Sequence, residues 1–291
     1  MKYKICVTNN IEFIEKGIVM ENKYAKEAQQ ESTEKERLVN YEYKTNFKFE
    51  VVKVDKKEHS NELETIIGEF PLALVLNGEY SNTFLCTPEN LEQLVAGFLM
   101  TKGVIKSKDN IKSIEVDFDN RVAHATIEKN EDLDKGKRFY LNDLDYVDLK
   151  PIENTDTTIR VSDIYEVMKE NLTSSELFKN TGGVHSVAIY DNEKLITIRE
   201  DVARHNAMDK SIGYCLLNNI DLKDKIIFVS GRISCEMILK AAKAGIPIVI
   251  SKSAPTNLSR EIAQKLNITL AGFVRGERMN IYTEPQRIIF E

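Results

Sequence analysis

The spacing of apolar and polar positions divides the 291-residue chain into stretches of different kind. Residues 1–46 are rich in Glu, Lys, Asn and Gln with no sustained apolar period, and read as a polar extension. Residues 47–54 alternate as a strand does. A polar loop is expected next, followed by a buried strand, Phe70-Pro71-Leu72-Ala73-Leu74-Val75-Leu76, closed by the turn pair Asn77-Gly78. Residues 82–86 return as its hairpin partner. Thr87 suits a helix cap and Pro88 a first helical position. The helix predicted over 89–101 carries Leu91, Leu94, Val95, Phe98 and Leu99 on one face, and Gly103 ends it. Residues 111–128 predict two alternating strands about Asp119-Asn120. Residues 129–151 are charged and irregular, and read as a linker.

The second half alternates differently. Helices are predicted over 161–172, 201–217, 234–244 and 257–266. Strands are predicted over 184–190, 194–199, 225–230, 246–251 and 268–274. From residue 225 the order is strand–helix–strand–helix–strand, which predicts parallel strands with right-handed crossovers. The expected fold class is α/β, with an α+β N-terminal part. The expected organisation comprises the extension 1–46, a smaller N-terminal domain over 47–150 and a second domain over 151–291.

Composition narrows the function classes. A net charge of -6 argues against a general nucleic-acid binder, which would carry a basic footprint. No window has the apolar length of a membrane span, and the opening MKYKICVTNN lacks the cleavage site of a secretory signal. The expected location is the cytoplasm. The four cysteines, Cys6, Cys86, Cys215 and Cys235, are scattered. They have neither metal-ligand nor disulfide-framework spacing, and no metal site is expected.

Candidate chemistry gathers where predicted strands end and helices begin, the place where open α/β sheets bind ligands. Gly182-Gly183, followed by His185, allows backbone to approach a ligand; the alternative is a tight turn with a structural histidine. The segment from Glu200 to Lys210 spaces Asp201, His205 and Asp209 four apart, so a carboxylate is expected to flank the imidazole on a helix face. A solvated helix with ordinary ion pairs is the alternative. Ser230-Gly231-Arg232 sits between a strand and a helix, where free N–H groups favour anions. Lys252 follows the next strand. Phe273-Val274-Arg275-Gly276-Glu277-Arg278 brings two arginines that can bind phosphates or stack on a ring, or else form a solvated hairpin. These segments are expected to share one donor-rich face for an anionic ligand.

Several of them carry a resemblance. The stretches PLALVLNG (71–78), CTPENLEQLVAGFLMTKG (86–103), TGGVHSVA (181–188), EDVARHNAMDK (200–210), SGRISCEMILKAAKAG (230–245), SKSAPT (251–256) and 270–287 resemble the FdhD family of formate dehydrogenase accessory proteins. The resemblance implies a cytidine-deaminase-like α/β C-terminal domain, a cytoplasmic and commonly dimeric protein, and formate dehydrogenase as client. It also implies a bound bis(molybdopterin guanine dinucleotide) cofactor at residues 273–278, GDP or a GMP-like nucleotide as a partial ligand, and sulfur received from a cysteine desulfurase as a persulfide. The family's donor cysteines stand in a C-x-x-C loop. The corresponding region here, Lys135 to Leu144, contains no cysteine, and Ser or Tyr cannot carry sulfane sulfur. Two other thiols are substitute candidates: Cys86, at a strand–helix junction, and Cys235, the better placed, just inside a helix start that would lower its pKa. The alternatives are a cofactor chaperone or docking module without sulfur transfer, and a nucleotide-metabolising enzyme. The zinc pattern of deaminases is missing.

Overall fold

The computed structural model describes residues 44–128, 149–153, 156–191 and 194–290. The chain enters with β1 (Asn46–Asp55) and β2 (Glu58–Ile67), an antiparallel ribbon in register from Asn46 opposite Ile67 to Asp55 opposite Glu58. The second strand replaces the expected polar loop. Most of β2 is exposed, so nothing selects the apolar alternation by which buried strands are recognised.

A four-stranded sheet follows, ordered β4-β3-β6-β5, from β3 (Phe70–Leu76), β4 (Glu79–Cys86), β5 (Ile111–Asp117) and β6 (Val122–Ile127). Phe70, Leu72, Leu74 and Leu76 point inward at alternate positions. Helix α1 (Leu91–Thr101) covers them with Leu91, Leu94, Val95, Phe98 and Leu99. The expected cap is corrected: α1 begins at Leu91 behind a left-handed Asn90 (φ 55°). Thr87 is wholly buried and serves another purpose, set out below.

Two short strands, β7 (Ile159–Arg160) and β14 (Ile288–Ile289), form a parallel pair, and the second large sheet has six strands ordered β13-β12-β11-β10-β8-β9. They are β8 (His185–Tyr190), β9 (Leu195–Asp201), β10 (Ile226–Val229), β11 (Ile248–Ser251), β12 (Thr269–Arg275) and β13 (Arg278–Thr283). β10, β11 and β12 are parallel, as expected; β8, β9 and β13 are antiparallel to their neighbours. α4 (Arg204–Leu217), α5 (Cys235–Ala244) and α6 (Asn257–Lys265) pack one face through Met208, Ile212, Met237, Ile238 and Ile262. α2 (Val161–Ser174) packs the other through Ile164 and Met168. A short α3 (Glu176–Thr181) leads from α2 into β8. Near-continuous apolar runs such as Ile226–Val229 are what a strand covered on both faces requires. The expected 201–217 helix starts three residues late, because Asp201 ends β9.

The two sheets share packing through α1 and α4. A Cβ on Gly97 would lie 1.8 Å from the Asp209 carbonyl oxygen, and one on Gly213 would lie 1.9 Å from that of Gln93. Only glycine allows this backbone approach. The expected linker at 129–151, the boundary at 150 and the extension up to residue 43 lie wholly or mostly outside the described residues.

Candidate ligand site at the carboxyl edge of the sheet

β10 and β11 end at the same sheet edge, and antiparallel β8 begins there, with Val187 opposite Val229. The chain folds back through α3, whose N-cap Ser175 accepts from the Phe178 N–H at 2.9 Å. Gly182 caps α3 with φ 64° and turns the chain into Gly183 and β8. The result is a cavity of about 310 Å³ lined by Ser175, Phe178, Gly182, Gly183, Val184, His185, Ser186, Ser230 and Lys252. Five residues singled out from sequence meet in it: Gly182, Gly183, His185, Ser230 and Lys252. Sequence reasoning did not single out Ser175, Phe178 and Ser186. A large apolar side chain within a short helix gives no signal; the 43% exposure of Phe178 does.

The donors are held in place. Ser186 N–H donates to Ser230 Oγ at 3.0 Å, and Ser230 N–H donates to the Ser186 carbonyl at 3.0 Å. The Gly231 carbonyl accepts from Ser251 Oγ at 2.7 Å. A Cβ on Gly231 would come within 2.9 Å of His185 Nδ1 and 3.6 Å of Arg204 Cδ. Gly231 therefore backs the imidazole and brings Arg204 beside it. Burial pushes the His185 pKa down, and the Arg204 and Arg232 charges push it further; Asp201 opposes them. The imidazole thus sits in a positive field that an anion would relieve.

Other expected members lie elsewhere. Arg275 to Arg278 form the exposed turn between β12 and β13, and do not line the cavity. The hairpin leaves the same edge, because β12 is parallel to β11 and Phe273 N–H donates to the Ser253 carbonyl at 3.0 Å. Arg275 lies over the Phe273 ring at 5.8 Å, while Val274 is in the core. Gly231 and Arg232 sit beside His185 rather than on the lining.

The segment from Glu200 to Lys210 is corrected most. His205 has neither Asp201 nor Asp209 as partner; its Nδ1 lies 3.4 Å from Glu236 Oε2. Burial, more than the Glu236 charge can offset, takes its pKa down to about 4. Asp201 pairs with Lys210 at 2.6 Å, both side chains at 0% exposure. Lys210 Nζ also donates to Thr87 Oγ1 at 2.7 Å and to the Thr87 carbonyl at 3.1 Å. Asp201 accepts from the N–H groups of Thr87 (3.0 Å) and Ala203 (2.9 Å) and from Asn206 Nδ2 (3.1 Å). Asp209 accepts from Lys240 Nζ at 2.8 and 2.9 Å and from Thr101 Oγ1 at 2.8 Å. The polar residues of this segment bind the first sheet and α1 to the second sheet. Asp201 falls on a strand and Asp209 turns toward α5, so helical spacing from residue 201 misplaces both.

The thiol expectation is also corrected. Burial and the Glu236 charge push the Cys235 pKa up, despite its place at the start of α5. Burial takes Cys86 and Cys215 up to about 12. Among the described residues no three His, Cys, Asp or Glu side chains cluster as a metal site, and no helix is long and apolar enough to cross a membrane. Cys6 and the region 135–144 lie outside the described residues.

Fold and site define a mixed α/β protein with a ligand-sized, donor-lined cavity at the carboxyl edge of its parallel strands. Residues 67–289 match the FdhD/NarQ family. The sulfur carrier protein FdhD of Bacillus subtilis (strain 168) is 41% identical over 255 residues, covering 82% of this chain and 96% of the relative. That of Staphylococcus aureus (strain JH9) is 38% identical over 256 residues, covering 82% and 95%. A crystal structure described as a formate dehydrogenase accessory protein from Desulfotalea psychrophila superposes with a TM-score of 0.72 at 28% identity, covering 84% of this chain and 100% of that one. The chain belongs to the FdhD/NarQ family.

Proposed function

We propose that the protein supports formate dehydrogenase maturation in the cytoplasm by holding a nucleotide arm of bis(molybdopterin guanine dinucleotide), which is its cargo. The observation that carries this reading is the meeting of Gly182, Gly183, His185, Ser230 and Lys252 in one cavity. A volume of about 310 Å³ stands at the lower end of ligand sites, about 300–1,000 Å³. It suits one nucleotide and not the whole cofactor. Lys252 and the Ser230 hydroxyl supply donors for phosphate oxygens. The Arg275–Arg278 hairpin, exposed at the same edge, is the reading's candidate for phosphates of the second arm. Complementation tests it. Cells lacking their own accessory protein should recover formate dehydrogenase activity with the wild-type chain, and much less with Lys252→Ala at equal abundance. Equal recovery by Lys252→Ala would remove the cavity from the function.

A second reading concerns sulfur. The sequence has no cysteine between Cys86 and Cys215, and the pKa values of both, and of Cys235, are raised. A persulfide carrier needs an accessible thiolate. These facts favour a holder of cofactor that leaves sulfur transfer to another protein. Incubation with a cysteine desulfurase and labelled cysteine separates the two. A reducible label on any of the four cysteines supports sulfur carriage by this chain; its absence supports the holder alone.

A further inference from the structure

Glu200 is absent from the cavity lining, yet it controls two hydroxyls that line it. Its Oε1 accepts from Ser186 Oγ at 2.9 Å and also from Ser175 Oγ. A carboxylate can only accept, so each serine must turn its proton toward Glu200. What remains for a ligand is the lone pairs of Ser186 and the one on Ser175 that the Phe178 N–H does not take. Ser175 and Ser186 are themselves nearly sealed, at 4% and 9% exposure. Ser230 is set the opposite way. Its Oγ accepts the Ser186 N–H, which leaves its proton free to donate.

The cavity lining therefore presents two kinds of polar group. Lys252, His185 and Ser230 offer donors. Ser175 and Ser186 offer lone pairs, and the exposed ring of Phe178 lines the same cavity. We infer that Glu200 is a specificity-determining residue: by committing the protons of Ser175 and Ser186, it selects a planar base with ring N–H donors, stacked on Phe178, whose phosphates reach Lys252. Guanine presents two adjacent donors on its pairing edge. Adenine presents one donor beside an acceptor, and that acceptor would face lone pairs. A mismatch of this kind leaves polar groups unpaired and is discriminated strongly. The inference rests on the cavity's being the nucleotide site proposed above.

The test is calorimetric titration of the full chain with GDP, ADP and pyrophosphate. Wild type should bind GDP at least tenfold more tightly than ADP. Glu200→Gln can donate to the hydroxyls and free their protons. It should weaken GDP about tenfold and leave ADP and pyrophosphate within about twofold. Ser186→Ala removes an acceptor outright and should also cut the GDP:ADP ratio, should Glu200→Gln fail to fold. An unchanged ratio in a folded variant overturns the role of Glu200. If the ratio holds while Lys252→Ala still weakens GDP and pyrophosphate, the cavity reading stands and this inference alone falls. If wild type binds neither GDP nor pyrophosphate, both fall.

Discussion

Breaking the Asp201–Lys210 pair should cost the protein stability and leave ligand binding by the folded protein intact. Lys210→Met leaves the Asp201 carboxylate at 0% exposure without its cation. Its remaining donors are Asn206 Nδ2 and the hydroxyl of Thr87, with the N–H groups of Thr87 and Ala203. Asp201→Asn strands the ammonium instead. Removing one partner of a buried pair costs about 3–5 kcal/mol, because the other charge stays desolvated. Total stability of a domain is about 5–15 kcal/mol, so either change removes a large share of it. Replacing both partners removes both charges, and the double variant Asp201→Asn/Lys210→Met should recover more than about 2 kcal/mol relative to additivity. The chain has no tryptophan, so urea unfolding is best followed by far-ultraviolet circular dichroism. A loss below about 1 kcal/mol in both single variants, with nucleotide binding abolished, would refute the structural role and place Asp201 and Lys210 in the site.

Gly97→Ala should destabilise by about 2–3 kcal/mol or more through overpacking, although alanine is the better helix former by about 1 kcal/mol; thermal unfolding reads the sign, and a stabilised variant would contradict the α1–α4 contact. Stability should be fully present above pH 6.5, the ordinary histidine value, and fall as pH drops toward the His205 pKa of about 4, because the unfolded chain takes up that proton first. The full span amounts to roughly 3 kcal/mol, and His205→Gln should flatten the profile measured by urea unfolding. Pyrophosphate should bind more tightly as pH falls from about 7.5 to 6, since the depressed His185 pKa rises beside an anion and binding takes up a proton; His185→Gln should lose that dependence in calorimetry. In a Cys6→Ser background, Cys86 and Cys215 should resist a thiol reagent until the protein is denatured, as buried thiols with pKa values near 12 require.

The second sheet was legible because β10, β11 and β12 are covered on both faces and read as apolar runs between helices with strong ends at Gly245 and Thr256. Glycines and cations at strand ends pointed to one edge of the sheet, and Gly182, Gly183, His185, Ser230 and Lys252 line one cavity there. What was not legible depends on contacts distant in sequence. Thr87 looked like a cap and is a ligand of an ion pair 114 residues away. His205 looked bracketed by carboxylates on its own helix, and its partner is on α5. The acceptor character of Ser175 and Ser186 comes from Glu200 on β9, which stands opposite Ser186 on the neighbouring strand. β2 was missed because exposed ribbons carry no apolar period.

Titration of the full chain with pyrophosphate tests the central claim most directly, with Lys252→Ala as the paired variant. An anion held by the cavity's donors predicts measurable binding by wild type and a loss of about 1.5–3 kcal/mol on removing the charged donor, with unfolding unchanged. Equal dissociation constants for wild type and variant would contradict it.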